Sequence, residues 1–398
     1  MSSTPPLRTP AVYCKASHVW NSFTEDWSQL LKERYRPILE LGTGTFAVVF
    51  SAWDVVHNSF VAIKFIRKQN IYDVLDGTET SSSNSGKPLK RYFREAIIWR
   101  HLSKLQCPYI VTCYRAKLRH RHPFFVIEQK QQTLASWIKR YSRLFQQIPR
   151  AEIRRAIRQI LIALQHIHAS RVMHRDLTVL NVLVSETKEK GVQLAISDYG
   201  TACLIPGPEK GEEEGAETTT AAKEKKSERT KEMVFSQNKN QRMLAMEDSN
   251  ASLDLLRTVD ALTTKVTAAA YRSPEVILRK KYNEKIDMWA AGILMAEMLL
   301  QRHLWQHSRK RQENGWSEMG QMEEIYRLLG TPDRPLFFEQ HYDRFGVYYL
   351  KTFPEMSAAD WNRKFGIDAV GGDLLRGLLQ FDPSKRLSAQ EALSHPWF

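Results

Sequence analysis

The sequence predicts an α+β fold in two lobes, a small β-rich lobe from Tyr35 to about Ile127 followed by a larger, mostly helical one. Three observations predict it. Short runs rich in β-branched and aromatic residues cluster at 37–41, 48–53, 60–66 and 124–127, interrupted by one helical stretch. From Glu152 the period changes, and Ile153, Ala156, Ile157, Ile160, Leu161, Leu164 and Ile167 share one face of a 3.6-residue helix. The chain's 398 residues also exceed what one compact core usually holds.

Residues 1–34 precede the first strand signal and are expected to be a flexible extension. They begin Met1-Ser2-Ser3-Thr4-Pro5-Pro6, without the basic start and apolar stretch of a secretory signal, so an intracellular address, nuclear and/or cytoplasmic, is expected. Residues 71–90 contain a Gly, Ser and Thr-rich run too small and polar to bury, which reads as a surface insert. A second insert, 206–257, passes from Glu212-Glu213-Glu214 to Lys223-Glu224-Lys225-Lys226 and is expected to be mostly disordered and removable. The longest apolar stretch, 286–300, is too short for a membrane span and carries Asp287 and Glu297, so it reads as a buried helix.

Composition excludes several classes. Hydrophobic residues at 42% and charged residues at 26% are ordinary for a soluble domain. Cys14, Cys107, Cys113 and Cys203 have neither metal-ligand spacing nor scaffold density, so free thiols are expected. The net charge of +14 invites nucleic acid or acidic partners, but no aromatic-and-basic stripe or zinc-finger spacing supports nucleic-acid readout.

The chemistry lies in a series of short strings. Leu41-Gly42-Thr43-Gly44-Thr45-Phe46-Ala47-Val48-Val49 joins two strand signals, where glycines let backbone N–H groups approach phosphate oxygens. Alone it is as compatible with an ordinary hairpin turn. Val61-Ala62-Ile63-Lys64 ends the next strand, and a buried lysine there needs a counter-charge, for which Glu95 on the helical stretch is the candidate. His174-Arg175-Asp176-Leu177-Thr178-Val179-Leu180-Asn181 closes into an apolar strand and offers a proton acceptor and a metal ligand from one loop. Ser197-Asp198-Tyr199-Gly200 follows the strand signal at 192–196 with a second hard oxygen ligand suited to Mg²⁺. Glu275, Asp287 and Arg386 form a further set expected to hold the helical lobe together.

In this order the strings resemble the signature set of eukaryotic protein kinases, over about residues 35–398 apart from the inserts. The resemblance implies the bilobal kinase fold, with an N-lobe over 35–127, a hinge at Glu128-Gln129-Lys130, and a C-lobe over 131–398. It implies ATP and Mg²⁺ as cofactors and transfer to serine or threonine of protein substrates. Carried over residue by residue, Lys64 would hold the α- and β-phosphates and Glu95 would pair with it. Asp176 would be the catalytic base, and Asn181 and Asp198 would bind Mg²⁺. Leu41, Val49, Ala62 and Leu183 would sandwich the adenine, Gly42 and Gly44 would cover the phosphates, and Glu128 and Lys130 would offer hinge backbone, with Ile127 as gatekeeper. Tyr271-Arg272, Ile325-Tyr326-Arg327-Leu328-Leu329-Gly330-Thr331-Pro332 and Asp382-Pro383-Ser384-Lys385-Arg386 look like the cyclin-dependent branch. A cyclin-like or other activating subunit is a partner this implies, although 89–95 keeps only the Arg-Glu pair of the usual cyclin-binding sequence.

Several positions depart from the family. Ala47 replaces the third glycine of the loop. Thr178 stands where serine/threonine kinases usually place a lysine, and Ala268 stands where a threonine usually bonds the catalytic aspartate. Thr178 is therefore expected to bond Asp176 itself. These losses keep an alternative open, a scaffold that binds nucleotide without transfer. Between Asp198 and Glu275 lie roughly fifty residues more than the family carries. The resemblance also implies that Thr263 or Thr264 would be the activating phosphosite, and that Arg94 and Arg175 would form its phosphate pocket. Cys203 replaces the pocket's usual third arginine.

Overall fold

The computed structural model describes residues 13–67, 91–118, 121–187, 189, 191–205, 266–305, 317–332 and 352–398. The two expected inserts and both candidate phosphosites, Thr263 and Thr264, lie outside the described residues. The chain forms two compact units, the first holding the described residues up to Gln106 and Val111–Gln129, the second Cys107–Ile110 and the described residues from Lys130.

The first unit is a five-stranded antiparallel sheet in the order β1-β2-β3-β5-β4, with β1 Tyr35–Thr43, β2 Ala47–Asp54, β3 Ser59–Ile66, β4 Cys113–Lys117 and β5 Phe124–Glu128. Four of these are the predicted runs; β4, five residues long like β5, is an addition to them. Side chains alternate across β3, so Val61, Ile63 and Phe65 enter one core cluster while Ala62, Lys64 and Ile66 face the other way. Helix α3 (Arg91–Ser103) packs on that second side, its Trp99 ring 5.8 Å from Phe125.

The extension expected to be flexible is not so over its described part. It forms α1 (Tyr13–Phe23) and α2 (Gln29–Arg34), and Trp20, Phe23 and Trp27 are buried against Phe50, Phe65 and Phe124. Without that cover the apolar face of β2, β3 and β5 would meet water. Three aromatics supply the missing layer, which argues for order on hydrophobic grounds alone. Glu25 pairs with Arg121, and Arg34 grips Asp54 at the end of β2 through two hydrogen bonds of 2.9 and 3.1 Å.

The second unit is mostly helical: α4 (Leu134–Arg143), α5 (Arg150–Ala169), α6 (Pro274–Ile277), α7 (Lys285–Leu300), α8 (Glu318–Leu329), α9 (Ala358–Phe365), α10 (Ala369–Leu378) and α11 (Ala389–Leu393). Its small strands are β6 (Gln132–Thr133), β7 (Val172–Met173), β8 (Val182–Thr187), β9 (Gly191–Ile196) and β10 (Cys203–Leu204), joined as β6-β8-β9 and β10-β7. The predicted apolar face of α5 is buried at all seven positions. α7 is buried from Ile286 to Leu299, as its apolar composition requires, and a Cβ on Gly292 would come within 2.8 Å of Leu379. Among the described residues no helix is long and apolar enough to cross a membrane.

Candidate active site

In the sheet unit the third strand and α3 bring Lys64 and Glu95 together. Lys64 Nζ donates to Glu95 Oε1 at 2.7 Å, and both side chains are buried. Lys64 is buried within β3 because its neighbours Ile63 and Phe65 are core, and the Glu95 carboxylate offsets its charge. Val49 sits opposite Lys64 on β2, and Ala62 pairs with Ile127 on β5. Leu41, Gly42 and Gly44 are exposed at the β1–β2 turn, closed by Gly44 N–H donating to the Ala47 carbonyl at 2.9 Å. A Cβ on Gly42 would meet nothing within 4 Å and one on Gly44 only the Ala47 carbonyl at 3.8 Å. The protein's own packing therefore does not require glycine here, which suits a loop whose backbone a phosphate approaches. Glu128 N–H donates to the Thr112 carbonyl at 2.9 Å at the end of β5. Arg94, beside Glu95 on α3, is buried.

The helical unit holds the second constellation. Asp287, at the start of α7, accepts from the backbone N–H groups of His174 and Arg175, both at 2.9 Å, and is paired with His168 Nε2 at 3.0 Å. Burial pushes this carboxyl up, but the hydrogen bond from His168 and the backbone N–H of His174 outweigh it, and its pKa lies below the ordinary value. Asp287 thus works apart from the Glu275–Arg386 pair, which is bidentate at 2.7 and 3.0 Å. The expected structural trio is in fact one salt bridge, Glu275–Arg386, and one anchor, Asp287, for the 174–176 loop.

That anchor fixes His174, whose Nδ1 accepts from Asp176 N–H at 3.2 Å while Nε2 lies 3.0 Å from the Ser197 carbonyl. The arrangement ties the 174–176 loop to the segment carrying Asp198. Asn181 Nδ2 donates to Asp176 Oδ2 at 3.0 Å and to its carbonyl at 2.8 Å, which leaves Asn181 Oδ1 on the opposite side of the amide. Asp198 has φ of +63° and accepts from Gly200 N–H at 3.2 Å. Leu183 lies on β8 opposite Ala195, and Lys130 is half-buried just before β6.

The Thr178 hydroxyl does not make the expected bond to Asp176. It accepts from Leu180 N–H at 3.2 Å and Asn181 N–H at 3.3 Å, closing the local turn rather than reaching Asp176. A threonine hydroxyl two and three residues ahead of backbone N–H groups is consumed locally, here alongside the Thr178 carbonyl, which also accepts from Asn181 N–H at 3.1 Å. The carboxylate of Asp176 is met instead by the Ala268 N–H, at 3.0 Å from Oδ1. Arg175 donates to the Thr201 carbonyl at 2.7 Å and to the Tyr282 hydroxyl at 3.0 Å, and Cys203 is core, packed with Met173 and Val266.

Sequence reasoning missed His174 as a tie between loops, Tyr282 as a partner of Arg175, and the Ala268 N–H. A backbone donor has no residue-type signal. Among the described residues no three His, Cys, Asp or Glu side chains cluster to hold a metal. Asn181 and Asp198 fit a hard cation only as two oxygen donors completed by phosphate and water, which is how Mg²⁺ is usually held.

A family model described as the protein kinase domain matches residues 35–225 and 233–398. The chain is 26% identical over 377 residues to cyclin-dependent kinase 4 of Xenopus laevis, covering 93% of this chain and 92% of that one. It is also 26% identical over 369 residues to cyclin-dependent kinase 1 of Encephalitozoon cuniculi, covering 92% and 97%.

Proposed function

Because this chain belongs to the protein kinase family and is cyclin-dependent-kinase-like within it, we propose that it transfers the γ-phosphoryl group of ATP to serine or threonine hydroxyls of protein substrates. The buried Lys64–Glu95 ion pair is the observation that carries the reading, since it is the arrangement in which the lysine can hold phosphate oxygens. In this reading Asp176 takes the proton of the attacking hydroxyl while Asn181 holds its carboxylate in place. The hydroxyl oxygen bonds to the γ-phosphorus as the bond to the β-phosphate oxygen breaks. Mg²⁺, held by Asn181 and Asp198, would supply neutralising charge on the phosphates.

A nucleotide-binding scaffold is the second reading, favoured by one observation: Thr178 brings no cation and spends its hydroxyl on the backbone. Incubation with labelled ATP, Mg²⁺ and a generic basic protein separates the two. Label on serine and threonine, abolished by Asp176→Asn, supports the kinase. Nucleotide binding without transfer, with or without added cyclins, supports the scaffold. The proposal includes intracellular action and an activating phosphate at Thr263 or Thr264, tested by kcat/KM of the Thr263→Ala, Thr264→Ala double variant. Equal values would remove the switch.

A further inference from the structure

One peptide group connects Arg272 to Asp176. Its carbonyl, that of Thr267, accepts from Arg272 Nε at 3.2 Å, and its N–H, that of Ala268, donates to Asp176 Oδ1 at 3.0 Å. In a trans peptide these two groups point in opposite directions, so a cation at one end and a carboxylate at the other clamp a single plane. Arg272 also approaches the Val266 carbonyl at 3.4 Å and is itself paired with Glu318 at 2.6 Å. A charged donor on the carbonyl polarises the amide and strengthens its N–H as a donor.

The plane is held at a conformational cost. Thr267 has φ of +66°, a region that β-branched residues rarely enter, and its Oγ1 is buried with no hydrogen-bond partner among the described residues. Such strain persists only where the surroundings over-determine it. Here they do: Val266 is buried among Met173, Cys203, Val276 and Ile286 on one side, and the Tyr271 hydroxyl donates to Glu297 at 2.7 Å on the other.

We propose that the Thr267–Ala268 peptide is a positioning element for the Asp176 carboxylate, and that Arg272 and Thr267 are positioning residues acting through it. Asn181 holds Oδ2 and this peptide holds Oδ1, so the carboxylate is fixed at both oxygens without a side-chain hydroxyl from residue 268. The inference rests on the kinase reading for its kinetic consequence only.

The test has a kinetic arm and a spectroscopic one. Arg272→Met should lower kcat about tenfold or more with KM for ATP unchanged, and Arg272→Lys, which keeps a point charge, should recover part of it. The ester made by replacing Ala268 with lactate removes the N–H, and weakens the Thr267 carbonyl as an acceptor, without changing any side chain; it should lower kcat similarly, which keeps the test alive should Arg272→Met fail to fold. Independently of activity, the Ala268 amide proton should resonate downfield in the wild type and move upfield in both Asp176→Asn and Arg272→Met. An unchanged kcat in the ester, or an Ala268 amide indifferent to Asp176→Asn, would overturn the proposal. An inactive wild type whose Ala268 amide still follows both substitutions would overturn the kinase reading and leave the clamp standing.

Discussion

Lys64 Nζ and Glu95 Oε1 lie 2.7 Å apart with side-chain exposures of only 10% and 4%, so neither charge can be left to water when the other is removed. Lys64→Met should abolish phosphoryl transfer and should also destabilise the fold, by up to about 3–5 kcal/mol, because Glu95 would stay buried without the Lys64 charge beside it. Adding Glu95→Gln should restore much of the melting temperature and none of the activity. A Lys64→Met protein that melts with the wild type would show that the carboxylate reaches solvent.

Thr178 caps two backbone N–H groups of the loop that carries Asn181. Thr178→Ser keeps that acceptor and should keep kcat within about twofold. Thr178→Val removes it at about 1–2 kcal/mol of local stability, and kcat should fall several-fold as the Asn181 grip on Asp176 loosens. Equal rates for the two variants would mean the cap is dispensable.

Asp54 gives an acid-limb prediction. Burial alone would raise its carboxyl, but hydrogen bonds from Arg34 and His57 outweigh it and lower the pKa from 3.8 to about 2. A carboxyl held below its unfolded value stabilises the fold above that value, and the contribution is lost as pH falls from about 4 towards 2. After screening at its partly exposed partners the effect should be about 1–2 kcal/mol. Urea unfolding of wild type and Asp54→Asn should therefore differ at pH 6 and converge near pH 2; a constant gap would remove Asp54 as the titrating group.

The α1–α2 segment should behave as part of the sheet unit's core. Trp20→Ala or Trp27→Ala should each cost about 3–5 kcal/mol. Deletion of 1–34 with no change in unfolding would refute the assignment.

How much of this was legible in the sequence divides along physical lines. Side-chain chemistry at fixed spacing is local, so Lys64, Asp176, Asn181 and Asp198 could be singled out from strings of a few residues, and the seven buried positions of α5 from their period. The pairing of Lys64 with Glu95, 31 residues apart, could be anticipated because each buried charge requires the other. The strand β4 was not: its five residues alternate too weakly, and only pairing with β5 makes Cys113–Lys117 a strand. The N-terminal helices were missed for a related reason, since Trp20, Phe23 and Trp27 read as scattered aromatics until the bare face of the sheet is known. Asp287 was placed with Glu275 and Arg386 because sequence order cannot say which buried donors a carboxylate will meet. Thr178 and Ala268 mark the limit most sharply. The sequence determined that the usual lysine and threonine are absent around Asp176. That the Thr178 hydroxyl would turn to its own backbone, and that a strained peptide at Thr267 would present an N–H to Asp176 in place of a side chain, was decided by tertiary structure, because a backbone donor's direction depends on dihedral angles that residue identity does not encode.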